Sequence, residues 1–237
     1  MSFMNVLCCC FSSSENSTRQ LNERQPLLQG QPQSARQARP AHNETPQKSG
    51  RFIARDVGIP ELDQSFKDVA EIFNLQQGHH EAMTECLNTL RDRYGCSCGD
   101  GLSECLKRIK EEHDTHHQIT FHMKGYDFSL AVVPNDEVPS KLRSSQDNIR
   151  GLCQASKAIV AAGTKLQEMI GWLTKTEEQL ANQVLEEAPA YQEQQRLEDN
   201  LKKNLQECRR ARELSTAYRE QAGKILNEAA LLSGVNP

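Results

Sequence analysis

An all-α protein is predicted, with a disordered N-terminal tail, a short helical bundle and a long antiparallel coiled-coil hairpin. Three observations point there. Steps of three and four residues from Leu142 meet Leu142, Ser145, Ile149, Leu152, Ser156, Ile159, Gly163, Leu166, Ile170, Leu173, Glu177, Leu180 and Val184, nine of thirteen apolar. A second series repeats the spacing: Gln194, Leu197, Leu201, Asn204, Cys208, Ala211, Ser215, Tyr218, Ala222, Ile225, Ala229 and Leu232. Its many small residues permit close helix approach. Finally, only 5% of residues are aromatic, which is thin for a thick globular core and suits helices packed along seams.

In chain order, residues 1–11 read as a membrane anchor. Cys8, Cys9 and Cys10 stand together among Phe3, Met4, Val6, Leu7 and Phe11. Free cysteines usually become buried, and a polar tail offers no core. Consecutive thiols beside large apolar residues therefore point to S-acylation, with a plain apolar cluster as the simpler alternative. One acyl chain gives marginal, reversible binding; two or more give stable anchoring. Residue 2 is Ser, so the glycine needed for N-myristoylation is absent and anchoring would rest on reversible thioesters. The start lacks the basic region of a secretory signal, and no run approaches the ~20 apolar residues of a spanning helix. Nine cysteines, an odd number, then suggest reduced cytosolic thiols.

Residues 12–58 are rich in Ser, Gln, Asn, Pro and Arg and are expected to be a disordered tether. Such a coil spans roughly 35–40 Å. Within it, Glu23 stands four positions before Leu27-Leu28, the form of an acidic dileucine signal read by clathrin adaptor complexes; an incidental leucine pair is the alternative. The run Cys9-Cys10-Phe11-Ser12-Ser13-Ser14-Glu15-Asn16, followed by Glu23-Arg24 and Leu27-Leu28, resembles the N-terminus of the Ragulator membrane-anchor subunit family. That resemblance implies an address on the cytosolic face of late endosomes or lysosomes, with the plasma membrane and Golgi as alternatives. It covers about the first 28 residues, and Ser2 stands where that family carries an acylated glycine. Residues 1–58 carry seven Lys/Arg against four Asp/Glu, a weak attraction to an anionic surface. Residues 59–237 carry 21 against 28 and lack a basic stripe or stacking aromatics, which argues against a nucleic-acid partner.

A short-helix subdomain is expected over 59–125. Pro60-Glu61 suits a first turn, and Leu62, Phe66, Val69, Ile72 and Phe73 follow at helical spacing. A second helix, after Gly78, carries Met83, Leu87, Leu90 and Tyr94. A turn follows over Gly95–Gly101, then a third helix with Leu102, Leu106 and Ile109 that runs on, histidine-rich, to Gly125. Residues 126–139 suggest an extended connector, with Phe128–Val133 as a strand lacking an obvious partner. The coiled-coil hairpin takes 140–235, each arm ~65 Å long. Glu187-Ala188-Pro189 suits its turn, because a proline inside a helix costs ~3 kcal/mol; a single kinked helix is the alternative. The seam is assigned to Leu142, Ile149, Leu152, Ile159, Leu166, Ile170, Leu173, Leu180, Val184, Leu197, Leu201, Tyr218 and Ile225.

Four cysteines and six histidines crowd into the 44 residues from His79 to His122. Thiolates and imidazoles suit zinc, yet Cys96-X-Cys98 is too closely spaced for a standard pair. Cys96, Cys98 and Cys105 with His113 and His117, a helical turn apart, are the metal candidates. Core thiols and surface histidines are the simpler reading, a pH-sensitive histidine patch another; no metal or other cofactor is expected. Neither a phosphate-cradling loop nor a nucleophile elbow is present, so no enzyme is expected. The expected function is a non-enzymatic, S-acylated adaptor recruiting helical protein partners through its coiled coil, with homo-oligomerisation left open. A membrane-tethering or fusion component whose heptads join a multichain bundle is the alternative, and a zinc-binding Cys/His module a second.

Overall fold

The computed structural model describes residues 50–133, 137–188 and 190–234. Cys8, Cys9, Cys10, Glu23, Leu27 and Leu28 lie outside the described residues. Among those described, the chain is mostly helical, with a small two-stranded antiparallel sheet. The order is α1 (Pro60–Tyr94), α2 (Leu102–His113), β1 (Gln118–Lys124), β2 (Asp127–Val133), α3 (Ser140–Lys175), α4 (Glu177–Glu187) and α5 (Tyr191–Leu232).

Gly78 does not divide α1, which continues for 35 residues. A mid-helix glycine costs ~1 kcal/mol, and tertiary packing on both sides outweighs that. Phe66, Val69 and Phe73 are buried before it, and Met83 and Leu90 after it. Gln76 is also buried and donates Nε2–H to the Ile159 carbonyl at 3.0 Å. Pro60 occupies the first turn behind an extended Ile59, and Gly95 (φ 62) ends the helix.

Three long helices share the core. Met83 and Leu90 of α1 cluster with Leu142, Ile149, Leu152 and Ile159 of α3 and with Ala222, Ile225 and Ala229 of α5. Phe66 and Phe73 cluster with Leu166, Ile170 and Leu173 of α3 and Leu201, Leu205 and Cys208 of α5. The pairing makes α3 antiparallel to both partners and α1 parallel to α5. An isolated two-helix coiled coil therefore does not describe residues 140–235: α1 packs along α3 more extensively than α5 does. Side chains of α1 and α5 close over Gly163 of α3, where a Cβ would collide with the Arg219 side chain and approach Gln76 Nε2 to 2.9 Å.

The α3 arm breaks at Thr176. Thr176 leaves the helical region (φ −102, ψ 13), and the Thr174 and Thr176 hydroxyls donate to the carbonyls of Ile170 and Trp172, at 2.8 and 3.0 Å. After Glu187 the chain turns, with Ala188 and Ala190 extended, and α5 returns along α4 and α3.

The third helix stops at His113, well short of Gly125. Residues 118–133 form a hairpin in register Gln118↔Val133 to Lys124↔Asp127, closed by Gly125 (φ 60) and Tyr126. Ile119 and Phe121 alternate with exposed neighbours, as do Phe128, Leu130 and Val132. That period of two marks half-buried strands. The buried face rests on α3, where Gln146 donates to the Leu130 carbonyl at 3.0 Å. The strand predicted at Phe128–Val133 thus has a partner in the stretch read as histidine-rich helix.

Residues 50–58, assigned above to the tether, lie as an extended strap in the groove between α1 and α5. Phe52 and Val57 are buried. Two asparagines clamp its backbone in both directions. Asn74 Oδ1 accepts from Phe52 N–H at 2.8 Å while its Nδ2 donates to the Phe52 carbonyl at 2.9 Å. Asn204 does the same for Arg55, at 2.9 and 2.7 Å. Buried Asp63 accepts from Val57 N–H at 2.6 Å. Side chains replace a sheet ladder here, so a polar stretch becomes ordered without secondary structure.

Candidate partner-binding site

The seam residues face inward. Leu142, Ile149, Leu152, Ile159, Leu166, Ile170, Leu173, Leu180, Val184, Leu197, Leu201 and Ile225 are buried, and Tyr218 is half-buried, stacked on the His80 ring at a centroid distance of 4.0 Å. Their apolar surface is covered within one chain and is not offered to a partner.

An exposed apolar surface lies where α3 breaks. Trp172, the only tryptophan of the protein, is 52% exposed. It stands between two adjoining hollows that share it and Ser65. One, of about 540 Å³, runs between the start of α1 and α4, over Ile59, Leu62, Thr176 and Leu180. The other, of about 310 Å³, lies over Val69, Met169 and Leu173. Leu62, Val69, Leu173 and Leu180 form a buried apolar floor. The groove lies beside the junction where α3 ends at Lys175 and α4 begins at Glu177. Four carboxylates, Glu61, Glu168, Glu186 and Glu187, border the groove, and no Lys or Arg lines it. Apolar floor, exposed indole and acidic border together suit an amphipathic, basic segment. Heptad arithmetic misses the site, although a tryptophan between the seam positions Ile170 and Leu173, hence off the seam, is a signal for it.

The metal candidates are dispersed. Cys98 is exposed, Cys96 half-buried, and Cys105 fully buried, its thiol pushed up to about 12 by burial and by Cys96 beside it. His113 and His117 belong to another cluster. Tyr94 Oη lies 2.9 Å from Ser145 Oγ and 3.4 Å from His113 Nε2, and Lys141 sits over the Tyr94 ring at 4.4 Å. His117 is buried with Nδ1 lacking a partner. Among the described residues no group of three or more His, Cys, Asp or Glu is placed to hold a metal ion. None of their helices is long and apolar enough to cross a membrane.

Burial lowers the His113 pKa below the ordinary 6.5, with Lys141 and His117 adding to it and Glu112 opposing. The unfolded chain then takes up a proton that the folded chain refuses. Stability from this group is complete above the unfolded value of 6.5 and is lost as pH falls through it. Urea midpoints should fall between about pH 7.5 and about pH 5.5, and His113→Gln should flatten that part of the decline. An unchanged slope in the variant assigns the loss to other groups.

No family model, no curated protein and no solved structure matches this chain.

Proposed function

We propose that this protein is a non-enzymatic adaptor, held by S-acylated Cys8, Cys9 and Cys10 on the cytosolic face of late endosomes or lysosomes and sorted there through Glu23, Leu27 and Leu28. It recruits helical partners to the bundle. The groove around Trp172 is the observation that carries the recruiting role, since exposed tryptophan over an apolar floor is typical of interface anchor points. The border of Glu61, Glu168, Glu186 and Glu187 selects the partner chemistry: a basic amphipathic helix with a bulky apolar residue beside Trp172. Recruitment thus falls on an outer face of the helices, with the seam residues holding the bundle together. Burial of the seam within one chain also weighs against a fusion component whose heptads await other chains.

Trp172 reports on its own site. Titrating the full chain with a basic amphipathic helical peptide should blue-shift its fluorescence, and an acidic peptide of equal hydrophobicity should not. By calorimetry, Trp172→Ala should weaken the basic peptide by about thirtyfold, the ~2 kcal/mol of an anchor residue. Equal binding of both peptides, or no effect of Trp172→Ala, removes the groove from the proposal.

A further inference from the structure

The body of the protein is acidic, yet one hollow reverses that sign. It measures about 460 Å³ and lies between the strap and α5, lined by Arg51, Ile53, Arg55, Lys203, Glu207 and Arg210 together with Gly50 and Gln206. Extended backbone sends alternate side chains to opposite sides. Arg51, Ile53 and Arg55 therefore share the outward side of the strap while Phe52 is turned in. Lys203, Glu207 and Arg210 share a face of α5 at helical spacing. Four cations thus meet one carboxylate.

Two of the guanidiniums are held from behind. Arg210 donates to Glu207 at 2.7 Å and to the Gly50 carbonyl at 3.0 Å, and packs 5.5 Å over the Phe73 ring. Arg51 donates to the Asn74 carbonyl and pairs with Glu81 at 2.9 Å. Arg55 and Lys203 are exposed and make no ion pair among the described residues. Fixed guanidiniums beside free cations suit a multivalent oxyanion, since guanidinium forks match phosphate oxygens and an ammonium adds charge. The volume fits a small ligand. Ile53, 61% exposed between Arg51 and Arg55, adds an apolar residue at the mouth, where a lipid interface would lie.

We propose that this hollow binds the headgroup of a membrane lipid carrying more than one phosphate, and so orients the bundle against the bilayer independently of the acyl anchor. Lipid is preferred to a free polyphosphate because exposed Ile53 has no use for a soluble ion. The two sources are separable. The full chain with Cys8, Cys9 and Cys10 replaced by Ser, which removes the acyl anchor, is sedimented with phosphatidylcholine vesicles carrying a bisphosphorylated phosphatidylinositol. A parallel set carries phosphatidylserine at matched total charge.

Binding is expected to the first set and to be at least tenfold weaker to the second. The double variant Arg55→Glu, Lys203→Glu should weaken it roughly thirtyfold, about 1 kcal/mol for each basic residue lost at a membrane surface. Lys224→Glu, away from the hollow, should leave it unchanged. Both substituted side chains are exposed, so an unchanged thermal midpoint verifies folding of the variant. Equal binding to both vesicle sets overturns the headgroup site in favour of diffuse attraction. Wild-type binding retained by the double variant overturns its location. Binding of soluble inositol trisphosphate without vesicle binding overturns the lipid assignment. None of these outcomes touches the acylation reading, whose cysteines are absent from the experiment.

Discussion

Phe73→Ala is expected to lower the unfolding free energy by about 3–5 kcal/mol, the usual cost of deleting a buried aromatic ring. Phe73 is fully buried at the level where α1, α3 and α5 meet. Its ring also carries the Arg210 guanidinium, which reaches on to the strap at the Gly50 carbonyl. The substitution therefore opens a cavity and unseats a cation that ties the N-terminal strap to α5. Against the 5–15 kcal/mol typical of a domain, this is a large fraction. Leu75, two residues along and 58% exposed, is the matched control: Leu75→Ala should stay within about 0.5 kcal/mol. Urea midpoints at unchanged slope measure both. A loss below about 1 kcal/mol for Phe73→Ala would mean that the three helices collapse around the gap rather than hold it open.

Replacing Cys8, Cys9 and Cys10 by Ser is expected to move the protein from the membrane fraction to the cytosol, and the response should be stepped. Buried acyl chain contributes ~0.8 kcal/mol per methylene, so one chain holds marginally while two hold stably. A single substitution should leave the protein membrane-bound, a double one should give partial release, and the triple one, combined with Arg55→Glu and Lys203→Glu to remove the headgroup contact, nearly complete release. Because the anchor proposed here rests on thioesters, hydroxylamine, which cleaves thioesters and spares amides, should also release the wild type. Fractionation of the four forms decides. A triple variant that stays on membranes as the wild type does, with Arg55 and Lys203 also reversed, leaves the acyl anchor without support.

The long helices were legible because their signal is redundant. Leu142 to Val184 repeats one pattern over many turns, and a stray Glu177 does not erase it. What escaped was short or depended on distant residues. The hairpin at 118–133 alternates for only seven residues per strand, and its first strand follows histidines and charges that continue a helical reading. The strap buries only two large apolar residues, Phe52 and Val57; the groups that order it, Asn74, Asn204 and Asp63, lie elsewhere in the chain. Gly78 marks a break in the sequence that α1 does not make, because the residues that hold the helix together across it are packed on α3, far away in the chain. The groove follows the same logic: Trp172 falls off the seam, but the α1 residues that floor the groove beside it, Leu62 and Val69, lie about a hundred residues away in the chain.

The paired asparagine clamps give the molecule a mechanical order of failure. A pull applied on the N-terminal side of Gly50 reaches the Arg210 contact and the Phe52–Asn74 pair before the Arg55–Asn204 pair, and only then Val57 and Asp63. Tension is thus taken up a few bonds at a time along the strap, and the three long helices bear load only after the last fastening has given way.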